Sequence, residues 1–517
     1  MKIEIKNKYL VFPVNSLATV KQLSFKNANK TVYSLEIKLD NYYPDFYAYI
    51  DVSRFIGHML DISVSPEMKP EYLTADEMDI YNAYNESMRP TVHFTAKNGW
   101  INDPNGLIYL DSTYHMFYQY NPAGTEWGNM HWGHAVSSDL LHWREKDIAL
   151  FPDERGTMFS GCAVLDENNL LHKNDGDKKT ALLYYTTTSP FCQNISYSTD
   201  GFDTIKEYEG NPTVPYIEHG SRDPKVIFCD ELCCYIMALY VTDDVYCILK
   251  SDDLANWSEL QRFHMSGENE CPDIFPLTAD DGQRKWVFIG AHGLYFIGDF
   301  DTGKFVPKQE ILPLHYDDTA YAAQTFSNLD NGRIVRVVWD RWNLPASGFN
   351  GQMGIPTDMS LSKVGDKYYL QAAPIREIES LYSNTNRYES VNLSTDCKFC
   401  ADLEDSAYLF NIKGGQYDCG KVELNVFGKA IRLDFYKNEI AIGDEHAPIS
   451  VICGGLDLKV VVDRCSIEVF ADGGKIMLTC VNSDSFCDRN LPYFVMKSDF
   501  EAVIDSIEIH SLKSIWE

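Results

Sequence analysis

Ser137-Ser138-Asp139-Leu140-Leu141-His142-Trp143 returns, with the same Ser, Asp, Leu and Trp, as Ser251-Asp252-Asp253-Leu254-Ala255-Asn256-Trp257. Between the two copies lies a shorter relative, Ser198-Thr199-Asp200-Gly201-Phe202, placed after the strand-like run Asn194-Ile195-Ser196-Tyr197. The Ser-x-Asp turns thus recur at 137, 198 and 251, spaced by 61 and 53 residues. Repetition at about 40–60 residues, with strands between, is the pattern of propeller blades, because each blade is one small sheet ended by turns.

Working outward, the chain changes texture on both sides of this region. Toward the N-terminus, Leu35, Ile37 and Leu39 alternate with Glu36, Lys38 and Asp40, and Phe46-Tyr47-Ala48-Tyr49-Ile50 is rich in strand formers. Residues 1–70 read as an accessory β-domain. Residues 71–88 read as a linker with a short helix, in which Thr74 would cap and Glu77 would reach back to it. Toward the C-terminus, Leu456, Leu458, Val460 and Val462 alternate, and Ile467-Glu468-Val469-Phe470 leads through Asp472-Gly473-Gly474 into Ile476–Leu478. Asp-Gly between two apolar runs is a hairpin signal, so residues 376–517 read as a β-sandwich following a propeller over 89–375.

Composition sets the outer bounds. The chain has 517 residues, 45% hydrophobic and 23% charged, which are ordinary globular proportions. Lys+Arg is 45 against Asp+Glu 75, a net charge of −30 that disfavours nucleic acid and anionic membranes. No apolar run reaches the roughly 18 residues of a membrane span. The apolar stretch Tyr9–Val14 is too short for a signal-peptide core. The 14 cysteines follow no framework spacing and include the adjacent pair Cys233-Cys234, which predicts free thiols and a cytoplasmic protein.

Three acidic residues stand in rigid turns. They are Asp103 in Trp100-Ile101-Asn102-Asp103-Pro104-Asn105-Gly106, Asp223 in Arg222-Asp223-Pro224, and Glu270 in Asn269-Glu270-Cys271-Pro272-Asp273. A proline within two residues restricts the backbone and can hold a carboxylate in a fixed direction. Asp-Pro and Asn-Gly are also common turn pairs, so the information lies in the ordered set.

That set resembles the signature blocks of the invertase, levanase and β-fructosidase family, glycoside hydrolase family 32. Further blocks agree: Tyr114–Gln119 with Asn121-Pro122, Trp127-Gly128, His131-Trp132-Gly133-His134-Ala135, Phe159-Ser160-Gly161, Tyr321-Ala322, Val338-Trp339 and Ser466–Phe470. The resemblance runs from residue 93 to about 510. It implies an all-β chain, a five-bladed β-propeller followed by a C-terminal β-sandwich, with the small N-terminal β-domain as an addition the family pattern lacks. It also implies retaining exo-hydrolysis of non-reducing terminal β-D-fructofuranosyl residues, from sucrose and short oligosaccharides such as kestose and inulobiose. Asp103 would be the nucleophile, Glu270 the general acid/base and Asp223 the transition-state stabiliser. Asn102, Gln119, Trp127, Phe159, Ser160, Arg222, Tyr321 and Trp339 would line the sugar site. Asp103 is expected to keep Glu270 protonated near neutral pH, and Arg222 to balance the negative charge. Ala320 and the segment Pro356-Thr357-Asp358-Met359 depart from the family pattern, which bears on substrate preference.

Two other readings remain beside hydrolysis: a fructosyltransferase using the same covalent intermediate, and a non-catalytic sugar-binding propeller. Sucrose 6-phosphate has no glycine-rich cradle or basic cluster to receive it. No cofactor or metal is expected. His131-x-x-His134 with His142 lies on an alternating strand, Cys397-x-x-Cys400 lacks a second pair, and Asp103-x-Asn105-Gly106 lacks the spacing of a calcium loop. The expected partner is a small sugar, with no nucleic acid and no membrane; a homo-oligomer would form through the N-terminal or sandwich domain.

Overall fold

In the computed structural model the described residues are 1–516 except 81–82, 343–347, 405–406, 416, 418, 450–454 and 482–492. Among them, helix is confined to short 3-10 turns, and the rest of the regular structure is strand.

Five sheets, antiparallel but for one closing pair, succeed one another between Gly99 and Pro374. Their inner strands are β1 (Gly99–Leu110), β2 (Ala163–Asp166), β3 (Arg222–Cys229), β4 (Asp273–Thr278) and β5 (Ala320–Thr325). These strands touch in a closed order, β1 to β2, β2 to β3, β3 to β4, β4 to β5 and β5 back to β1. The result is a β-propeller. Its ends are joined where Phe349–Asn350, in the last repeat, pairs parallel with Gly99–Trp100 in the first. Gly351 makes this closure possible, since a Cβ there would stand 2.3 Å from the Ile101 carbonyl oxygen and its φ is +87°.

The repeated sequence has a local cause. Ser137, Ser198 and Ser251 each end the third strand of a sheet, and each donates its Oγ to the Asp two residues on, at 2.9, 2.8 and 3.1 Å. Asp139 then accepts the N–H groups of Leu141 and His142, as Asp253 accepts those of Ala255 and Asn256. Leu140, Phe202 and Leu254 adopt φ of +69°, +65° and +66° at the turn. Trp143 and Trp257 donate their indole N–H back to the carbonyls of Leu140 and Leu254. The residues that recur are the ones whose side chains replace missing backbone partners in the turn.

The sandwich consists of two six-stranded sheets that enclose an apolar core including Phe410, Leu424, Ile431, Val469 and Ile504. It begins with the strand Tyr382–Leu393, after a 3-10 turn at Arg376–Leu381. A second core is continuous across the boundary, joining Val92, Phe94 and Ile355 of the propeller to Leu409, Val461 and Met477 of the sandwich.

The N-terminal module has two sheets around Phe12, Phe25, Leu35 and Ile50. The helix expected at Thr74 is not there: Leu73–Ala75 is a strand paired antiparallel with Tyr9–Val11, and the module runs past residue 70. Asp76, which would have charged the helix N-terminus, instead accepts from the Lys8 N–H and the Asn7 amide. A first helical turn is costly to nucleate, and the sheet edge offers these residues backbone partners at once.

Candidate active site

The inner strands deliver the site. Asn102 and Asp103 lie in a bulge of β1. Ile101 pairs with Tyr120 and Pro104 with Tyr118, so both residues oppose the single residue Gln119. A bulge of this kind re-aims side chains at a sheet's end. Asp223 is the second residue of β3, Glu270 stands just before β4, and Tyr321 is the second residue of β5. Asp223, Glu270 and Cys271 all have positive φ, +64°, +57° and +37°. Non-glycine residues held there carry backbone strain of about 1–3 kcal/mol each, which the surrounding sheets must supply. Beneath them, Lys225 bridges β3 to its neighbours, 3.1 Å from the Asp273 carboxylate and 2.7 Å from the Thr325 carbonyl.

The three carboxylates converge. Ser160 Oγ donates to Asp103 Oδ2 at 2.5 Å, and Asn102 Nδ2 to Asp103 Oδ1 at 3.1 Å. Gly161 leaves no space beside Ser160: a Cβ would meet the Tyr184 carbonyl oxygen at 1.9 Å. The Cys271 thiol lies 3.5 Å from both Asp103 Oδ2 and Asp223 Oδ2, and its backbone N–H donates to Asp223 at 3.0 Å. Arg222 donates to Glu270 Oε1 at 2.5 Å and sits 3.7 Å from Asp223 Oδ2. Tyr321 donates its hydroxyl to Glu270 Oε2 at 2.5 Å. The Glu270 side chain is 34% exposed and that of Asp223 only 7%, so Glu270 stands at the rim and Asp223 at the floor.

The protonation pattern corrects one expectation. Glu270 lies below the ordinary glutamate range: burial pushes it up, but the Tyr321 hydroxyl and the Arg222 guanidinium outweigh that push. Asp223 is pushed up to about 7, first by burial, against Arg222, with the charges of Glu270 and Asp103 adding to the rise. Burial also raises Asp103, opposed by its bonds from Ser160 and Asn102. The carboxylate best able to hold a proton near neutrality is thus Asp223, not Glu270, because the compensating cation is hydrogen-bonded to Glu270.

The other sequence candidates fall around this centre. Trp127 is at the rim, 61% exposed, with its ring edge-on to Phe159 at 6.1 Å. Trp339 packs edge-on against Tyr321 and Trp100. The amide nitrogen of Gln119 and the indole nitrogen of Trp339 are buried with no protein partner among the described residues. Sequence reasoning did not single out Cys271, although it lies inside a quoted motif. It also passed over Arg341, stacked 3.7 Å over the Tyr321 ring, and Thr186, whose hydroxyl accepts the Asp223 N–H. Neither of these two has a local sequence signal.

The histidines set aside as metal ligands point apart, His131 to Tyr33 and His134 to His115. A different trio, His93, Asp340 and Glu468, brings its ligand atoms within 4.8 Å of one another. Both nitrogens of His93 already meet carboxylates, Asp463 at 2.8 Å and Glu468 at 2.9 Å. That is the arrangement of an imidazolium, which has no lone pair left for a metal.

The chain matches the glycosyl hydrolases family 32 N-terminal domain over residues 93–374 and the family 32 C-terminal domain over 428–509. It therefore belongs to glycoside hydrolase family 32 and is a glycoside hydrolase. It is 31% identical to a levanase of Bacillus subtilis (strain 168), across 84% of this chain and 72% of the relative. It is 34% identical to an invertase of Schizosaccharomyces pombe, across 84% and 86% respectively. Among solved structures it resembles an exo-inulinase from Aspergillus awamori, with a TM-score of 0.73, 25% identity, and coverage of 84% of this chain and all of that one. A fructofuranosidase from Schwanniomyces occidentalis, solved with fructosylnystose, shares the fold at a TM-score of 0.75 and 23% identity, covering 85% of this chain and all of that one.

Proposed function

We propose that the protein is a β-fructosidase that removes terminal β-D-fructofuranosyl units, with retention, from sucrose and short fructo-oligosaccharides such as kestose and inulobiose. One observation carries the reading: Asp103 and Asp223, from separate inner strands, and Glu270, from the turn before a third, meet around one thiol and one guanidinium. The relatives named as levanase, invertase and exo-inulinase support the substrate class.

Asp103, fixed by Ser160 and Asn102, attacks the anomeric carbon and forms a fructosyl ester. Glu270, at the open rim, protonates the departing oxygen and later takes a proton from water. Asp223, at the floor, accepts sugar hydroxyls as positive charge grows on the ring. The three carboxyl groups titrate as one coupled set. The proton held on the Asp223 side near pH 7 is the one the set delivers to Glu270 when a leaving group covers it and burial there deepens.

Hydrolysis is favoured over transfer by the exposure of Glu270 to water. Proton NMR of sucrose cleavage tests the mechanism: β-fructofuranose is the expected first product, and methanol the expected trap as methyl β-fructofuranoside. An inverted first product would refute Asp103 as nucleophile. A cytoplasmic location rests on cysteine usage; among the described residues the cysteines are free thiols. Several relatives are named as extracellular, so thiol titration of the native protein is the check, with free thiols expected and several native disulfides counting against it.

A further inference from the structure

The N-terminal module is bonded to the propeller segment that carries Trp127 and to Asn98, just before the strand of Asp103. We infer that it forms a sugar-binding surface for the leaving-group side of an oligofructoside, the units that follow the one held at Asp103. This rests on the reading of the pocket as a β-fructosidase site.

Two loops of the module, residues 15–20 and 40–47, are tied to each other. Asn15 donates its amide to the Tyr43 carbonyl, Ser16 its hydroxyl to Asp45, and Lys38 its ammonium to the Ser16 carbonyl. The same edge is fastened to the propeller. Lys38 pairs with Glu126 at 2.7 Å, and Asn129 exchanges two hydrogen bonds with the backbone of Glu36. Asn98, one residue before β1, donates to the Tyr47 carbonyl. The module is thus anchored on the segment 121–129 that carries Trp127, and beside the strand that carries Asp103.

A cleft opens between these parts, lined by Ser16, Val20, Lys38 and Phe46 from the module and by Glu126 and Trp127 from the propeller. Trp127 belongs to both sites: its ring meets Phe159, whose neighbour Ser160 holds the Asp103 carboxylate. The loops bordering the cleft leave large apolar side chains in water, Leu17 at 94%, Tyr42 at 83% and Tyr43 at 79%. Exposed aromatic pairs have no structural task in the chain. They offer flat apolar faces to the C–H faces of sugar rings.

The occupant follows from the geometry of exo-cleavage. The terminal unit fills the pocket, so every further unit must leave past the rim, where Trp127 and the module stand. A net charge of −30 makes a neutral oligosaccharide a better fit there than an anionic one.

The test uses the full chain and a double variant, Tyr42→Ala with Tyr43→Ala, supplemented by Val20→Arg across the cleft. kcat/KM is measured for sucrose, kestose, nystose, inulin and levan oligosaccharides. The expected result is a ratio of nystose or inulin to sucrose about two- to tenfold lower in the variants. Affinity electrophoresis in inulin gels, with Glu270→Gln in both backgrounds, should show retardation that the double variant loses. An unchanged ratio with unchanged retardation overturns the inference. So does a variant that converts a dimer to a monomer while the ratio stays fixed, which would make the surface an interface between copies. Failure of the wild-type enzyme to cleave any β-fructoside would sink the activity reading, while gel retardation would still report on the surface.

Discussion

The propeller's mouth and its junction with the sandwich each gather three carboxylates, Asp103, Asp223 and Glu270 in one, Asp340, Asp463 and Glu468 in the other. At the junction, His93 lies between Asp463 and Glu468 with both nitrogens engaged, and its pKa is raised to about 10. Burial alone would lower it, but the charges and bonds of Glu468 and Asp463 prevail. Asp463 also accepts the N–H groups of Thr91 and Val92, and Glu468 that of Ile355. At the mouth, of the three acids only Glu270 is hydrogen-bonded by the Arg222 guanidinium, Asp223 rises to about 7, and Asp223, Glu270 and Cys271 are held at positive φ. The first cluster engages both nitrogens of His93 and ties two domains together, although Asp340 there keeps one oxygen without a protein partner among the described residues and is raised to about 8, first by burial and then by the charge of Glu468. The second adds what the first lacks, backbone strain and one acid open to water, and these are what a reaction can use.

Replacing one acid in each place should pull activity and stability apart. Asp103→Asn is expected to lower kcat/KM by about 10⁴-fold or more while thermal melting stays level or rises, because a buried carboxylate with a raised pKa is removed. His93→Ala should do the reverse. It strands two buried carboxylates, at a cost of about 3–5 kcal/mol seen in denaturant unfolding, with the folded fraction still active. A stable His93→Ala protein would break the contrast.

pH separates the two clusters again. His93 has a folded-state pKa above its unfolded value, so its contribution is complete below about 6.5 and is lost as pH rises through about 10. Unfolding free energy should therefore decline between neutral pH and 10, and decline less in His93→Gln. Activity should fail earlier on the alkaline side. The kcat/KM profile is expected to fall near pH 7, where the three carboxyl groups lose the proton held at Asp223. The smallest effect is sought in Tyr321→Phe. Losing its hydroxyl bond to Glu270 should cost about tenfold in kcat/KM and move the alkaline limb upward, since that bond helps hold Glu270 ionised. An unmoved limb would separate Tyr321 from the acid's protonation.

Much of this was legible in the chain. The Ser-x-Asp repeats announced propeller sheets because the turn's hydrogen bonds are made by residues close in sequence. Asp103, Asp223 and Glu270 stood out as an ordered set of proline-containing turns resembling the family's blocks, and the structure brings the three side chains together. The helix at Thr74 was misread because capping is a local preference, and the strand Tyr9–Val14 offered Leu73–Ala75 better partners from afar. The direction of Glu270's shift was misread because Arg222 adjoins Asp223 in sequence yet hydrogen-bonds Glu270 in space. Arg341 over Tyr321, and the pairing of His93 with residues some 370 positions away, had no local sign at all.

Local chemistry in the sequence determined which side chains would be held rigid and which turns would recur, since those interactions span only a few residues. Which cation neutralises which acid, how the N-terminal module borders the pocket, and which acidic cluster stays strained were decided only when distant strands closed the ring. Electrostatic partners are set by distance in space, and chain order does not encode it.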